Sequence, residues 1–129
     1  MIYYIDTSAF LKLILEEAES GALTKSVNTA CGEGHTLVSS VLLETELYRA
    51  AWRLGVDRAL IAKEIDKVTL VSASDATFRR AGEFDEPHLR SLDALHLATA
   101  LEAEATGMYA YDKRLIEAAQ RRGIETLPV

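Results

Sequence analysis

The chain has one cysteine, no long apolar run and no excess of basic residues, and each shortage closes off a class of protein. A lone Cys31 cannot form an internal disulfide, which fits a reducing compartment. No Cys/His set has the spacing of a zinc site. No apolar stretch approaches the roughly 20 residues needed to span a bilayer. The opening Met1-Ile2-Tyr3-Tyr4-Ile5 has no basic leader, long apolar segment or small-residue cleavage site, so the expected location is the cytoplasm. Low-complexity linkers and internal repeats are missing too, and composition does not change along the chain. A length of 129 residues then suits one domain over 1–129 with one core. Hydrophobic residues make up 49% of it, too many for wholesale disorder. Lys and Arg number 14 against 20 Asp and Glu, a net charge of −6. Taken alone, that balance argues against nucleic acid, whose phosphates call for an excess of cations.

What is present is a regular alternation. Ile2–Ile5 is short, β-branched and aromatic, as in a buried strand. Thr7 to about Leu15 and Glu19 to Thr29 read as helices, the second ended near Gly32 and Gly34. Thr36–Ser39 reads as a strand. Ser40–Leu54 is an amphipathic helix with Leu43, Leu47, Ala50 and Leu54 on one face and Gly55 as its stop. Asp57 caps a further helix to about Asp66. Val68–Val71 is a strand, and Ser74 and Asp75 start the next helix. Ser91 opens a very apolar helix that ends before Gly107. Met108–Tyr111 is a strand, Asp112–Arg122 a helix closed by Gly123, and Ile124–Leu127 a last strand. Strand–helix alternation predicts an α/β fold with a central parallel sheet covered on both faces. Sites in such folds form at the carboxyl ends of strands.

Two acids stand at such ends. Asp6 follows the first strand, and Asp112 follows the fourth. Each precedes a helix, so each also reads as an N-cap whose carboxylate accepts backbone N–H bonds. Asp93 lies in Ser91-Leu92-Asp93-Ala94-Leu95-His96-Leu97-Ala98-Thr99-Ala100-Leu101, a helix apolar nearly all round. Its place in the first turn suits the helix dipole. A carboxylate in so apolar a setting also needs a cation, donors or water, since burying it unpaired costs several kcal/mol. On the Ser40–Leu54 helix, Glu44 and Glu46 fall on opposite shoulders of the apolar stripe, and periodicity does not choose between them. Carboxylates converging to about 4 Å would repel by about 4 kcal/mol per pair at an effective dielectric of 20. An oxygen-only set of this kind suits a hard ion, Mg²⁺ or Mn²⁺. Such an ion lowers the pKa of water and draws in phosphate despite a negative net charge.

These residues also resemble a known family. Asp6-Thr7-Ser8-Ala9-Phe10-Leu11-Lys12 resembles the opening of PIN domains, and closely that of VapC-type toxins of toxin–antitoxin pairs. Ser40-Val41-Leu42-Leu43-Glu44-Thr45-Glu46-Leu47-Tyr48-Arg49-Ala50 resembles their second motif, where the acid directly precedes Leu, and this selects Glu46. Leu92-Asp93-Ala94-Leu95-His96-Leu97-Ala98-Thr99-Ala100 is similar to the third motif, the most specific one. Tyr111-Asp112-Lys113-Arg114-Leu115, with Ala118-Ala119 and Gly123, resembles the fourth. The motifs fall in the family's order across nearly the whole chain. The resemblance implies a PIN-like three-layer α/β/α fold and a Mg²⁺- or Mn²⁺-dependent endoribonuclease that hydrolyses structured RNA such as tRNA by metal-activated water. It also implies a small antitoxin partner and a toxin homodimer. By motif position Asp6 and Asp93 are the main metal ligands, Glu46 and Asp112 complete the catalytic acid cluster, and Ser8 supports ion or substrate through its hydroxyl.

One position departs from the pattern: Ala110 stands where the family usually has Thr or Ser. A second reading follows from it, a catalytically weak or inactive module that binds RNA or protein. Among the remaining residues, Lys12, Arg49, Arg79, Arg80, Arg90, Lys113, Arg121 and Arg122 are candidate phosphate contacts, mostly read as solvated surface charges. His96 reads as a packed core histidine. Trp52 and the tyrosines are candidates for base stacking, and residues around Ile14, Leu15, Leu47 and Trp52 for an antitoxin groove.

Overall fold

The computed structural model describes residues 1–15 and 20–127. Its elements run β1 (Ile2–Ile5), α1 (Thr7–Ile14), α2 (Ser20–Gly32), β2 (Thr36–Ser40), α3 (Leu42–Leu54), α4 (Arg58–Ile65), β3 (Thr69–Val71), α5 (Asp75–Glu83), α6 (Ser91–Glu102), β4 (Gly107–Tyr109), α7 (Lys113–Gln120) and β5 (Glu125–Leu127). The proposed helix start at Glu19 lies outside the described residues. Several boundaries shift by a residue or a few from the sequence reading, and two of the shifts bear on the site. Ser40 ends β2 instead of opening α3; its amide bonds the Tyr4 hydroxyl at 3.1 Å, and its own hydroxyl accepts from the Leu42 amide at 3.0 Å. The fourth strand stops at Tyr109, because β1, its neighbour, ends opposite it at Ile5. Ala110 and Tyr111 therefore leave the sheet before Asp112.

The five strands are all parallel and lie in the order β3-β2-β1-β4-β5. The chain winds outward from β1 through β2 to β3, then returns to the other side of β1 for β4 and β5. The sheet's topological switch point is therefore between β1 and β4, where loops leave the strands in opposite directions and open a crevice. The Asp6 amide bonds the Tyr109 carbonyl at 3.1 Å and closes the end of that strand pair.

Period-two alternation along the strands feeds two cores, one on each face. Ile5, Leu37 and Tyr109 pack with Phe10, Leu23, Leu43, Leu47 and Ile61, the inner faces of α1 to α4. Tyr4, Val38 and Met108 pack with Leu97, Ala100, Leu115 and Ala118 from α6 and α7. The helix ends follow local rules. Gly55 takes φ +70° to stop α3, Asp57 and Ser74 cap α4 and α5, and Ser74 forms a reciprocal box with Thr77. The result is the expected three-layer α/β/α fold. Among the described residues no helix is long and apolar enough to cross a membrane.

Leu47 does not line a surface groove, as the sequence reading suggested; it is fully buried between α3 and the sheet, while Trp52, one turn on, is 78% exposed. Leu47→Ala should accordingly cost about 2–5 kcal/mol, the range for emptying a well-packed leucine site. Urea or guanidinium unfolding measures it, and a loss below about 1 kcal/mol would contradict the packing described.

Candidate active site

At the switch point a cleft of about 450 Å³ is lined by Asp6, Thr7, Ser8, Glu46, Asp93, His96 and Asp112, with Leu11, Lys12, Arg90 and Tyr111 around them. The acids reach it from four elements. Asp6 stands between β1 and α1, Glu46 in the second turn of α3, Asp93 in the first turn of α6, and Asp112 at the start of α7. Glu44, on the other shoulder of α3, is exposed and does not line the cleft.

For Asp6 and Asp112 the cap and the site are the same residue, with one oxygen making the cap. Asp6 Oδ1 accepts from the Ala9 amide at 2.9 Å, which caps α1. Asp112 Oδ1 accepts from the Arg114 and Leu115 amides at 2.9 and 3.2 Å, which caps α7, while its Oδ2 meets Arg114 at 3.3 Å and Arg90 at 3.5 Å. The Ser8 hydroxyl donates to both Asp6 oxygens, at 2.9 and 3.0 Å. Glu46 Oε1 accepts from Thr7 Oγ1 at 2.6 Å and meets His96 Nε2 at 2.7 Å. Asp93 is the least engaged: Arg90 Nε lies 3.6 Å from its Oδ2.

These environments push the acids apart in pairs. Burial raises Asp6 to about 6, and the charge of Asp93 adds to that, while the Ala9 amide, His96 and Ser8 oppose it. Asp93 is raised as well, first by desolvation and then by the charge of Asp112. At Glu46 burial also pushes upward, but the His96 and Thr7 hydrogen bonds outweigh it, so the carboxyl sits below its usual range. At Asp112 the Arg114 side chain and the helix amides likewise overcome desolvation. Two carboxylates are thus compensated by the protein, and two are not. Among the described residues no three His, Cys, Asp or Glu groups already clasp a single point; the four acids face one cleft, and Arg90 leans over its Asp93–Asp112 side.

Several residues take roles that the sequence did not assign. Thr7 and His96 hold Glu46, and Tyr4 holds His96 from below at 2.6 Å. His96 is buried, as a core histidine should be, yet its ring edge reaches the site. The available signal was a lone imidazole among the mostly apolar buried residues of α6. Of the candidate cations, Lys12 and Arg90 line the cleft. Arg121 and Arg122 are tied to Glu86 instead. Ala110 is 3% exposed and packs with Tyr4, Leu97 and Leu115, away from the cleft lining.

The fold has known counterparts. The PIN domain family matches residues 3–121. The chain is 32% identical to Ribonuclease VapC47 of Mycobacterium tuberculosis, covering 95% of this chain and 93% of that protein. It is 38% identical to Ribonuclease VapC35 of the same organism, covering 91% and 89%. Among solved structures it superposes with a TM-score of 0.70 on M. tuberculosis VapC20, a Sarcin-Ricin loop cleaving toxin, at 18% identity over 90% of this chain and 94% of that one. The TM-score is 0.76 with VapBC2 from Rickettsia felis bound to a DNA fragment from their promoter, at 12% identity over 98% and 97%. At such identities the two structures speak for the fold; the family match and the closer relatives carry the membership. The chain belongs to the PIN-domain family, with VapC ribonucleases as its relatives.

Proposed function

We propose that this chain is a Mg²⁺- or Mn²⁺-dependent endoribonuclease, the toxin of a toxin–antitoxin pair, that cuts structured RNA such as tRNA. The observation that carries the reading is the convergence of four carboxylates from four elements on one cleft at the switch point. Asp6 and Asp93, desolvated and lacking a full counter-charge, call for a cation. The donors are all oxygen, which suits a hard divalent ion. Asp6 and Asp93 would be its main ligands, and Glu46 and Asp112 would complete the shell directly or through water. When bound, such an ion supplies a lowered pKa for water and stabilisation of the charge that builds on a phosphoryl oxygen.

The protein's own contribution is positional. Ser8 and the Ala9 amide fix Asp6, Thr7 and His96 fix Glu46, and the α7 amides fix Asp112. Arg90, 67% exposed at the mouth of the cleft, can meet an incoming phosphate. Hydrolysis then breaks a backbone P–O bond, with water entering in line with the leaving oxygen. The antitoxin and the toxin homodimer belong to the same proposal. The VapBC2 complex of R. felis supports the first, and the exposed Trp52 and Phe78 offer apolar surface for contacts of either kind.

Asp93→Asn removes one uncompensated charge while keeping the side chain's volume and one acceptor oxygen. It should lower cleavage of total RNA by about 100-fold or more with an unchanged circular dichroism spectrum; undiminished cleavage would sink the mechanism. Wild-type cleavage should stop with EDTA and return with Mg²⁺ or Mn²⁺. RNA that is retained on the protein but stays intact under every metal condition would instead favour the binding-module reading.

A pH dependence follows from Asp6. Its pKa is higher folded, about 6, than in a free chain, about 3.8. The folded state therefore holds the proton longer, and the Asp6 contribution to metal-free stability is lost as pH rises from about 4 to about 6. A cation offsets that loss only once Asp6 is ionised. Mn²⁺ should raise the melting temperature more at pH 7.5 than at pH 5; equal shifts at the two values would contradict the assignment.

A further inference from the structure

A buried polar chain runs beneath the cleft and ends on one oxygen of one carboxylate. The Ser40 amide, at the end of β2, donates to the Tyr4 hydroxyl at 3.1 Å. That hydroxyl lies 2.6 Å from His96 Nδ1. His96 Nε2 lies 2.7 Å from Glu46 Oε1. Tyr4 is 0% exposed and His96 1%, so water does not serve these groups, and an unmade bond among them would cost about 1–3 kcal/mol. Both ends of the chain fix the same proton arrangement. The Ser40 amide can only donate, which directs the tyrosine proton to Nδ1; a carboxylate can only accept, which requires the ring proton on Nε2.

Thr7 bonds the same Oε1 at 2.6 Å, close beside the ring, with its hydroxyl 3.3 Å from His96 Nε2. Two donors thus converge on Oε1, while among the described residues no hydrogen bond engages Oε2. We infer that His96, held by Tyr4, is a positioning residue that together with Thr7 dedicates Glu46 Oε1 to the protein and so leaves Oε2 to the divalent ion. The inference rests on the metal-dependent reading above. It explains an otherwise costly feature: an imidazole and a phenol hydroxyl buried in an aliphatic layer with Leu97, Val38 and Met108. Partners of this kind orient metal-ligating side chains, and their loss typically weakens metal binding by about 10–100-fold.

The test is Mn²⁺ titration of the purified full chain by calorimetry, with circular dichroism and melting as checks on the fold. His96→Leu keeps the volume and removes both ring nitrogens; it should weaken Mn²⁺ binding by about 10-fold or more. His96→Gln restores a side-chain N–H and should recover most of the affinity. Thr7→Val, nearer the surface and isosteric, removes the second donor to Oε1. It should weaken binding by a smaller factor, and it keeps the inference testable if His96→Leu does not fold. Wild-type affinity in folded His96→Leu or Thr7→Val overturns the inference, and so does equal loss in His96→Leu and His96→Gln, which would mean packing and not the donor. A wild-type chain that binds no Mn²⁺, assayed beside them, overturns the parent reading and this inference with it.

Discussion

Like charges gathered where water is scarce repel one another, and the arrangement of this molecule around its switch point answers that repulsion. Two carboxylates about 4 Å apart at an effective dielectric of 20 oppose each other by about 4 kcal/mol, a large share of a small domain's stability. Burial raises Asp6 to about 6 and pushes Asp93 upward as well. The parallel topology is what brings the charges together. The carboxyl ends of β1 and β4 are neighbours, and the helices that follow or precede them start there.

The same topology supplies part of the remedy. A helix that begins at a strand's carboxyl end points its free amides at that end. Asp6 and Asp112 each give one oxygen to those amides. A carboxylate has two oxygens, so capping does not consume the residue. Glu46 lies within α3, not at a helix start, and no free amides face it. Its Oε1 is instead engaged by two side chains, Thr7 and His96. Each of these three acids thus has at least one oxygen held by the protein, through different partners, and on Asp6 the Ser8 hydroxyl reaches both. Among the described residues Asp93 has no such partner beyond the nearby Arg90, so like the desolvated Asp6 it is left with an uncompensated charge.

This division explains which features could be read from the residues. Alternating strands and helices with capped starts yielded the sheet and its layers, because local propensity and tertiary packing agree here. The strand-end position of Asp6 and the apolar setting of Asp93 marked them without any structure. Glu46 and Glu44 could not be separated by periodicity, because both shoulders of α3 are equally placed relative to the apolar stripe. What separates them is the position of Thr7 and His96, 39 and 50 residues away in sequence. The role of His96 was hidden for the same reason. A histidine in an aliphatic helix looks like filler until the strand beneath it is seen to offer a tyrosine hydroxyl. Ala110, which departs from the family's pattern, stands just past the end of the strand, and its side chain packs into the core with Leu115 instead of lining the cleft.

The net charge of −6 looked at first like an obstacle to binding RNA. Its distribution changes that. Four of the acids face one cleft, so their charge is concentrated where a divalent ion would be held, and an ion there inverts the sign that a phosphate meets. Arg90 already leans between Asp93 and Asp112, at 3.6 and 3.5 Å, and Lys12 also lines the cleft, over the Tyr111 ring. A cation arriving at the acids would take over the charge that Arg90 now balances and leave its exposed guanidinium to a phosphate at the mouth. On the proposed metal-dependent reading, the acidity that argues against nucleic acid in the composition would be, at this one place, the means of attracting it.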